Sequence, residues 1–212
     1  MKNFDEENAT ADELWDYCLL EYKNRNLITK RLFDNFFSRL AEIIKTFESD
    51  SRILEVGCGA GESSRNIISL LKGQYFEASD YDKRYVDKLQ STGLNYRITV
   101  ESAYSLNRND NEFDHIIMTE VLEHLEDYRL ALKELFRVAR KSVLISVPNE
   151  PLWRILNMAR FKYLKDFGNT PGHLNHFSKK SLITELEKFG TVKKIFTPIP
   201  WIMVECQKRG ID

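Results

Sequence analysis

With 212 residues, 42% hydrophobic and 30% charged, the sequence has ordinary globular composition, unlike a disordered or membrane-embedded chain, and is long enough to bury one good core as a single domain, 1–212. A formal net charge of −1 supplies no global attraction to nucleic acid. Cys18, Cys58 and Cys206 are too scattered for a disulfide framework or a CxxC metal pair, and no apolar run approaches the ~20 residues of a bilayer span.

The first twenty or so residues are acidic (Asp5, Glu6, Glu7, Asp12, Glu13, Asp16) and lack the apolar stretch of a secretion signal, so the expected location is cytoplasmic, without a membrane partner. Leu14, Cys18 and Tyr22 recur at helical spacing, and Leu32, Phe33, Phe36, Phe37, Leu40, Ile43, Ile44 and Phe47 form a broad apolar stripe. Residues 1–48 therefore read as a helical N-terminal cap, able to pack on the core and to close over a cleft. From Ser51 onward, strands alternate with helices. Strands are expected at 52–56, 75–79, 96–100, 113–119 and 143–147, the last stopped by Pro148; helices are expected at 62–71, at 82–90, and after Asp127 as N-cap. Residues 148–177 form a long basic insertion over the cleft, with Arg154, Arg160, Lys162 and Lys165 among Trp153, Phe161, Tyr163 and Phe167. Ser178 then caps a helix running to Phe189. Two final strands, 192–196 and 201–206, are joined by Thr197-Pro198-Ile199-Pro200, a link too short for a parallel crossover. The fold class is α/β: a Rossmann-like, doubly wound sheet, mostly parallel, with an antiparallel C-terminal hairpin and a helical N-terminal cap.

Open parallel sheets bind ligands outside the carboxyl ends of their strands. The first strand-to-helix loop is Glu55-Val56-Gly57-Cys58-Gly59-Ala60-Gly61-Glu62. A dinucleotide site has G-x-G-x-x-G and sets a pyrophosphate on the helix N-terminus. Here the third glycine position is Glu62, whose carboxylate would repel a pyrophosphate and tolerate a cationic sulfonium. Ile53-Leu54-Glu55-Val56-Gly57-Cys58-Gly59-Ala60-Gly61 resembles motif I of the class I S-adenosylmethionine-dependent methyltransferases, and the resemblance continues in register from about residue 50 to 190. It implies S-adenosylmethionine as cofactor and S-adenosylhomocysteine as product. It also implies a cofactor site made of Glu55, Gly57, Gly59, Gly61, Asp80, Tyr81, Ser102, Ala103 and Glu120, with Asp80 on the ribose hydroxyls, Ser102 and Ala103 along the adenine, and Glu55 ordering the loop or reaching the methionine end through water.

Methyl transfer needs in-line positioning and, for some acceptors, a base. Glu112 to Leu125 is similar to the family's fourth-strand block, and Glu120, Glu123 and His124 would share one side if that turn is helical. His173 and His176 follow in Gly168-Asn169-Thr170-Pro171-Gly172-His173-Leu174-Asn175-His176, so the catalytic candidates are His124, His173 and His176. A divalent metal on Glu120, Glu123, His124 and one of the later histidines is the less favoured reading. It is prompted by the similar E-x-x-E-H of ubiquinone-pathway O-methyltransferases and of small-RNA 3′-end 2′-O-methyltransferases. The expected function is methyl transfer to a small-molecule acceptor, at a hydroxyl oxygen. The rivals are RNA ribose 2′-O-methylation, a catalytically silent cofactor-binding regulator, and a nicotinamide-dependent oxidoreductase, the last opposed by Glu62 and the terminal hairpin. Oligomeric state is open.

Overall fold

The computed structural model describes residues 8–16 and 26–210. Residues 11–16 are helical; Cys18 and Tyr22, placed on the same helix by their spacing, lie outside the described residues. Seven strands follow in chain order: β1 (Arg52–Val56), β2 (Tyr75–Asp80), β3 (Arg97–Val100), β4 (Phe113–Thr119), β5 (Ala139–Pro148), β6 (Gly190–Phe196) and β7 (Trp201–Lys208). The helices are α1 (Leu27–Ile44), α2 (Glu62–Leu70), α3 (Lys83–Ser91), α4 (Tyr128–Val138), α5 (Leu152–Ala159) and α6 (Lys179–Leu186). All seven strands form one sheet in the order β3-β2-β1-β4-β5-β7-β6. β1 to β5 run parallel, and β7 pairs antiparallel with both β5 and β6. Order reverses between β1 and β4, which opens a crevice at the carboxyl ends of those two strands.

The core follows from period-two alternation along strands buried on both faces. Leu54, Ile116, Met118, Val143, Ile145, Ile202 and Val204 point to one face, where α4 and α6 cover them with Leu132, Leu135, Leu182 and Leu186. Ile53, Ile117, Leu144 and Met203 point to the other, against Phe36, Leu40 and Ile43 of α1, Ile67 of α2 and Leu89 of α3. Asp127 caps α4 through the Leu130 N–H, and Ser178 caps α6 in a reciprocal box with Ser181.

The structure differs from the sequence reading at a few boundaries. β5 starts at Ala139, four residues early, because Arg140 pairs with Asp114 at the sheet's lower rim and keeps its charge in water. Pro148 ends the strand as its last paired residue, opposite Trp201, a position where a missing N–H is tolerated. α6 stops at Leu186, and the chain turns through 187–189 into Gly190, where a Cβ would lie 2.1 Å from the Gln207 carbonyl oxygen. Residues 120–124 hold a single 3-10 turn, Leu122–His124, preceded by Glu120 at φ 58°. The insertion carries α5 and a second 3-10 turn, Leu164–Asp166. Among the described residues, no helix is long and apolar enough to cross a membrane.

Candidate functional site

The crevice is built first by the glycine loop. Gly57 and Cys58 N–H groups both donate to the Ser79 carbonyl, at 2.8 and 3.1 Å, which ties the end of β1 to β2. Gly57 takes φ +83° and Gly59 φ +49°, left-handed backbone that glycine adopts without a Cβ penalty. A Cβ on Gly57 would lie 2.4 Å from Val121 Cγ2, whereas one on Gly59 would meet no atom of the described residues within 4 Å. Gly59 thus faces open space. The Glu55 carboxyl beneath the loop is fully buried and accepts hydrogen bonds from Ser63 and Ser64 at the start of α2. Burial pushes it up to about 7 even though both hydroxyls favour its anion.

Asp80 ends β2 beside this loop. Its Oδ2 accepts from the Gly59 N–H at 2.8 Å and its Oδ1 from the Asp82 N–H at 2.9 Å. Burial raises its pKa while those N–H donors oppose the rise. A carboxylate has about four acceptor sites, so both oxygens retain capacity for a ligand's hydroxyls. Tyr81, next in sequence, is 77% exposed. Ser102 and Ala103 follow β3, Ala103 buried and Ser102 exposed, with the Ser102 hydroxyl accepting from the Tyr104 N–H. Gly57 to Ala60, Ser63, Thr119, Glu120, Trp201, and Phe33, Phe36 and Phe37 of α1 together line a cleft of about 190 Å³. The N-terminal cap thereby supplies one wall of the crevice.

An acid–imidazole group continues from that cleft. Glu120 accepts from Ser146 Oγ at 2.9 Å. Glu123 is 1% exposed, and its Oε2 has no hydrogen-bond partner among the described residues. Burial raises the pKa of both carboxyls, and the charge of Glu120 adds to the rise at Glu123. His124 Nδ1 lies 3.0 Å from the Gly172 carbonyl, which fixes that nitrogen as the N–H donor and leaves Nε2 toward Glu123 Oε1 at 3.8 Å. His173 is buried edge-to-face against His124, with ring centroids 4.9 Å apart, and desolvation lowers its pKa to about 4. His176 stands apart from this pair, with Nδ1 3.8 Å from Glu150 Oε1.

The sequence thus named a set of histidines of which the fold joins His124 to His173 and gives His176 a separate acid. Two backbone N–H groups, of Leu174 and Asn175, donate to the Glu123 carbonyl, while Asn175 Nδ2 donates to the Leu125 carbonyl at 2.6 Å. That clamp carries His173 to His124. Sequence reasoning did not single out Asn175, Glu150, Ser146, Thr119 or Trp201. Ser146 is 26 residues from Glu120 and Asn175 is 50 from Leu125, so no local pattern announces either contact. Proximity to Pro148 at the end of β5 was the available signal for Glu150.

The sequence matches the family described as "Methyltransferase domain" over residues 24–192. Among curated proteins none matches it. Its structure is similar to that of a SAM-dependent methyltransferase from Methanosarcina mazei (25% identity, TM-score 0.59, covering 78% of this chain and 96% of that one). A SAM-dependent methyltransferase from Aquifex aeolicus aligns at 18% identity and TM-score 0.63, over 82% of this chain and 89% of that one. Magnesium protoporphyrin IX methyltransferase from Synechocystis PCC 6803, solved with bound SAH, aligns at 14% identity and TM-score 0.63, over 88% and 89%. The last two likenesses speak for the fold.

Proposed function

The chain belongs to the methyltransferase-domain family and uses S-adenosylmethionine, and we propose that it methylates a hydroxyl oxygen of a small-molecule acceptor held between the glycine loop and the Glu120–His173 group. The residues of the crevice fit the cofactor. Gly59 leaves open space where a side chain would stand, Asp80 offers acceptor capacity for vicinal hydroxyls, and Glu62 opens α2 with negative charge, which suits a sulfonium better than a pyrophosphate. Asp80 would hold the ribose, Tyr81 with Ser102 and Ala103 the adenine, and Gly57, Gly59, Gly61 and Glu120 the methionine end, with Glu55 ordering the loop from below.

The bound cofactor supplies an electrophilic methyl on a good leaving group, so the protein's work is alignment and proton removal. The observation that carries the oxygen assignment is the buried neutral His173 against His124. With its pKa lowered to about 4, His173 is a weak base that stays neutral and packs edge-to-face on His124, which leaves the His124 ring as the candidate acceptor of a hydroxyl proton. His124, whose Nδ1–H is spent on Gly172, presents Nε2 as acceptor, 3.8 Å from the buried Glu123 carboxyl. Transfer of a labelled methyl group to panels of hydroxyl, amine and thiol compounds tests the reading. Methylated oxygen is expected, and products methylated at nitrogen alone overturn it.

A second reading has one observation in its favour. Glu123, His124 and His173 each place a ligand atom within 4.8 Å of the others, and Glu123 Oε2 is a buried acceptor with no partner among the described residues. A divalent cation there would satisfy that oxygen and draw an acceptor hydroxyl close, with the Gly172 carbonyl orienting His124. Calorimetric titration with magnesium and with manganese, on wild type and Glu123→Gln, decides between the two. Binding lost in the variant favours the cation, and no heat in wild type retires it.

A further inference from the structure

The insertion after β5 buries Asn157 and Gly168 while it leaves large apolar side chains exposed. A hydrogen-bonded knot holds it together: Asn157 Nδ2 donates to the Gly168 carbonyl in the interior, Trp153 Nε1 to Thr170 Oγ1 at its edge, and Arg154 Nε to the Phe167 carbonyl at the surface. The Gly168 N–H donates to the Tyr163 carbonyl at 2.8 Å, the Lys162 N–H to the Asn157 carbonyl at 2.9 Å, and Gly168 packs so tightly on Arg154 that a Cβ would lie 2.3 Å from its carbonyl oxygen. Large apolar side chains normally fill such an interior. Here Ile155, Met158, Phe161, Leu164 and Phe167 are all exposed, Phe161 at 84% and Phe167 at 72%. Ile155 and Met158 are three apart on α5 and share a face. Met158 lies against Gly168, next to Phe167, so the helix and the following turns present their apolar groups from one element. Phe161 and Phe167 are held at φ 57° and 50°, backbone that bulky residues seldom adopt, by the same bonds that close the knot.

Charge accompanies this surface. Arg160, Lys162 and Lys165 are exposed among the apolar residues, with Asp166 the one acid between 151 and 180. The chain as a whole is near neutral, so the cations are a local feature. Apolar side chains interleaved with lysine and arginine match a lipid–water boundary, where the former enter the acyl edge and the latter meet anionic headgroups. A protein groove matched to this element would need acids set between its apolar pockets; a mixed lipid surface supplies both at any register. The element also adjoins the crevice, because the Trp153 ring lies 5.9 Å from His173 and 6.1 Å from Trp201, and Trp201 lines the cleft.

We propose that residues 154–167 form a peripheral docking surface for anionic lipid bilayers, with Phe161, Leu164 and Phe167 as the inserting groups and Arg160, Lys162 and Lys165 as the headgroup contacts. The arrangement is peripheral and asks for no membrane-spanning helix, and none of the described residues form one. Attachment is reversible and weakened by salt, since a handful of side chains gives marginal partitioning. This departs from the expectation of no membrane partner, which rested on the lack of a long apolar run.

The test is co-sedimentation of the full chain with vesicles of phosphatidylcholine alone and of phosphatidylcholine with phosphatidylglycerol at three to one, in low and high salt. Binding is expected on the anionic vesicles at roughly millimolar lipid, falling steeply with salt. Lys162→Glu with Lys165→Glu should lower it by more than about tenfold, at about fivefold per cation removed and more on reversal. Phe161→Asn with Phe167→Asn should abolish it, asparagine being chosen because it tolerates the left-handed backbone. Unchanged S-adenosylmethionine affinity in both variants shows that the fold is intact. Equal sedimentation with both lipids, no sedimentation with either, or indifference to the variants overturns the proposal. So does a concentration-dependent dimer in wild type that the asparagine variant dissociates, which would assign the surface to a second copy of the chain.

Discussion

At Gly57 two separable constraints meet, and mutation can tell them apart. The backbone sits at φ +83°, and the place of a Cβ is occupied by Val121 Cγ2 at 2.4 Å. Gly57→Ala therefore incurs about 1–2 kcal/mol of left-handed strain and about 1–3 kcal/mol of overpacking. In a Val121→Ala background most of the second component is relieved, since only the residue-121 Cβ at 3.3 Å remains, so urea melts of the four-protein cycle should show the alanine costing about 1–3 kcal/mol less there than in wild type. Equal costs in the two backgrounds would mean that the valine moves aside freely. Asp80 is the other residue with a sharp expectation. Its carboxylate fixes the Gly59 N–H and the start of α3 as well as offering acceptors to the crevice. Asp80→Ala should weaken S-adenosylmethionine binding by about tenfold or more, about 1.4 kcal/mol. Asp80→Asn, which keeps one acceptor oxygen, should fall between the two. Titration calorimetry reads this directly, and an unchanged dissociation constant would remove Asp80 from the ribose contact.

The elements differ in how plainly the sequence announces them. β4 could be read because Ile116, Ile117 and Met118 run continuously through a strand buried on both faces, and β1 because it leads into the glycine loop. The terminal hairpin followed from the brevity of its link, and the sheet order bears it out. α5 was hidden because its eight residues are too few for a periodic pattern to stand out within the basic stretch between Pro148 and Ser178. The approach of His173 to His124 depends on a contact of the same long-range kind. Asn175 joins the 3-10 turn after β4 to the end of the insertion through the Leu125 carbonyl, with a weaker reach to Leu122. Asn175→Ala removes about 1 kcal/mol of hydrogen bonding, which for a chain of this size lowers Tm by about 2–4 °C. Because the clamp positions His173 and does not touch the glycine loop, turnover should fall well below what that destabilisation explains, while cofactor affinity stays near wild type. Turnover that merely tracks the folded fraction would leave Asn175 a structural tie.

For the molecule as a whole, the buried titratable groups set opposed trends of stability with pH. His115, stacked on Phe47 and 2.8 Å from Ser142 Oγ, is buried and its pKa is depressed to about 4. As pH falls from the unfolded value near 6.5 towards 4, the unfolded chain takes up a proton that the folded one refuses, so stability is lost on the acid side, by up to about 3 kcal/mol. Glu55 acts oppositely. With its folded pKa raised to about 7, its contribution is complete below 4.5 and is lost as pH rises to 7, again by up to about 3 kcal/mol. Glu120 and Glu123, also raised by burial, extend that loss further to the alkaline side. Between pH 6 and 8 the buried His115 and His173 are neutral in the folded protein and largely so in the unfolded chain, so the buried acids set the trend: the cofactor-free protein should be most stable on the acid side of neutrality and should melt at lower urea at pH 8 than at pH 6. Between pH 4.5 and 6.5 the two slopes oppose one another, so His115→Gln should make stability fall more steeply with rising pH in that window, and Glu55→Gln should make it fall less steeply up to about pH 7. A midpoint that climbs steadily from pH 6 to 8 in the wild type would show that the carboxyls under the glycine loop and beside His124 are stabilised as anions, and that a positive charge shares their cavity.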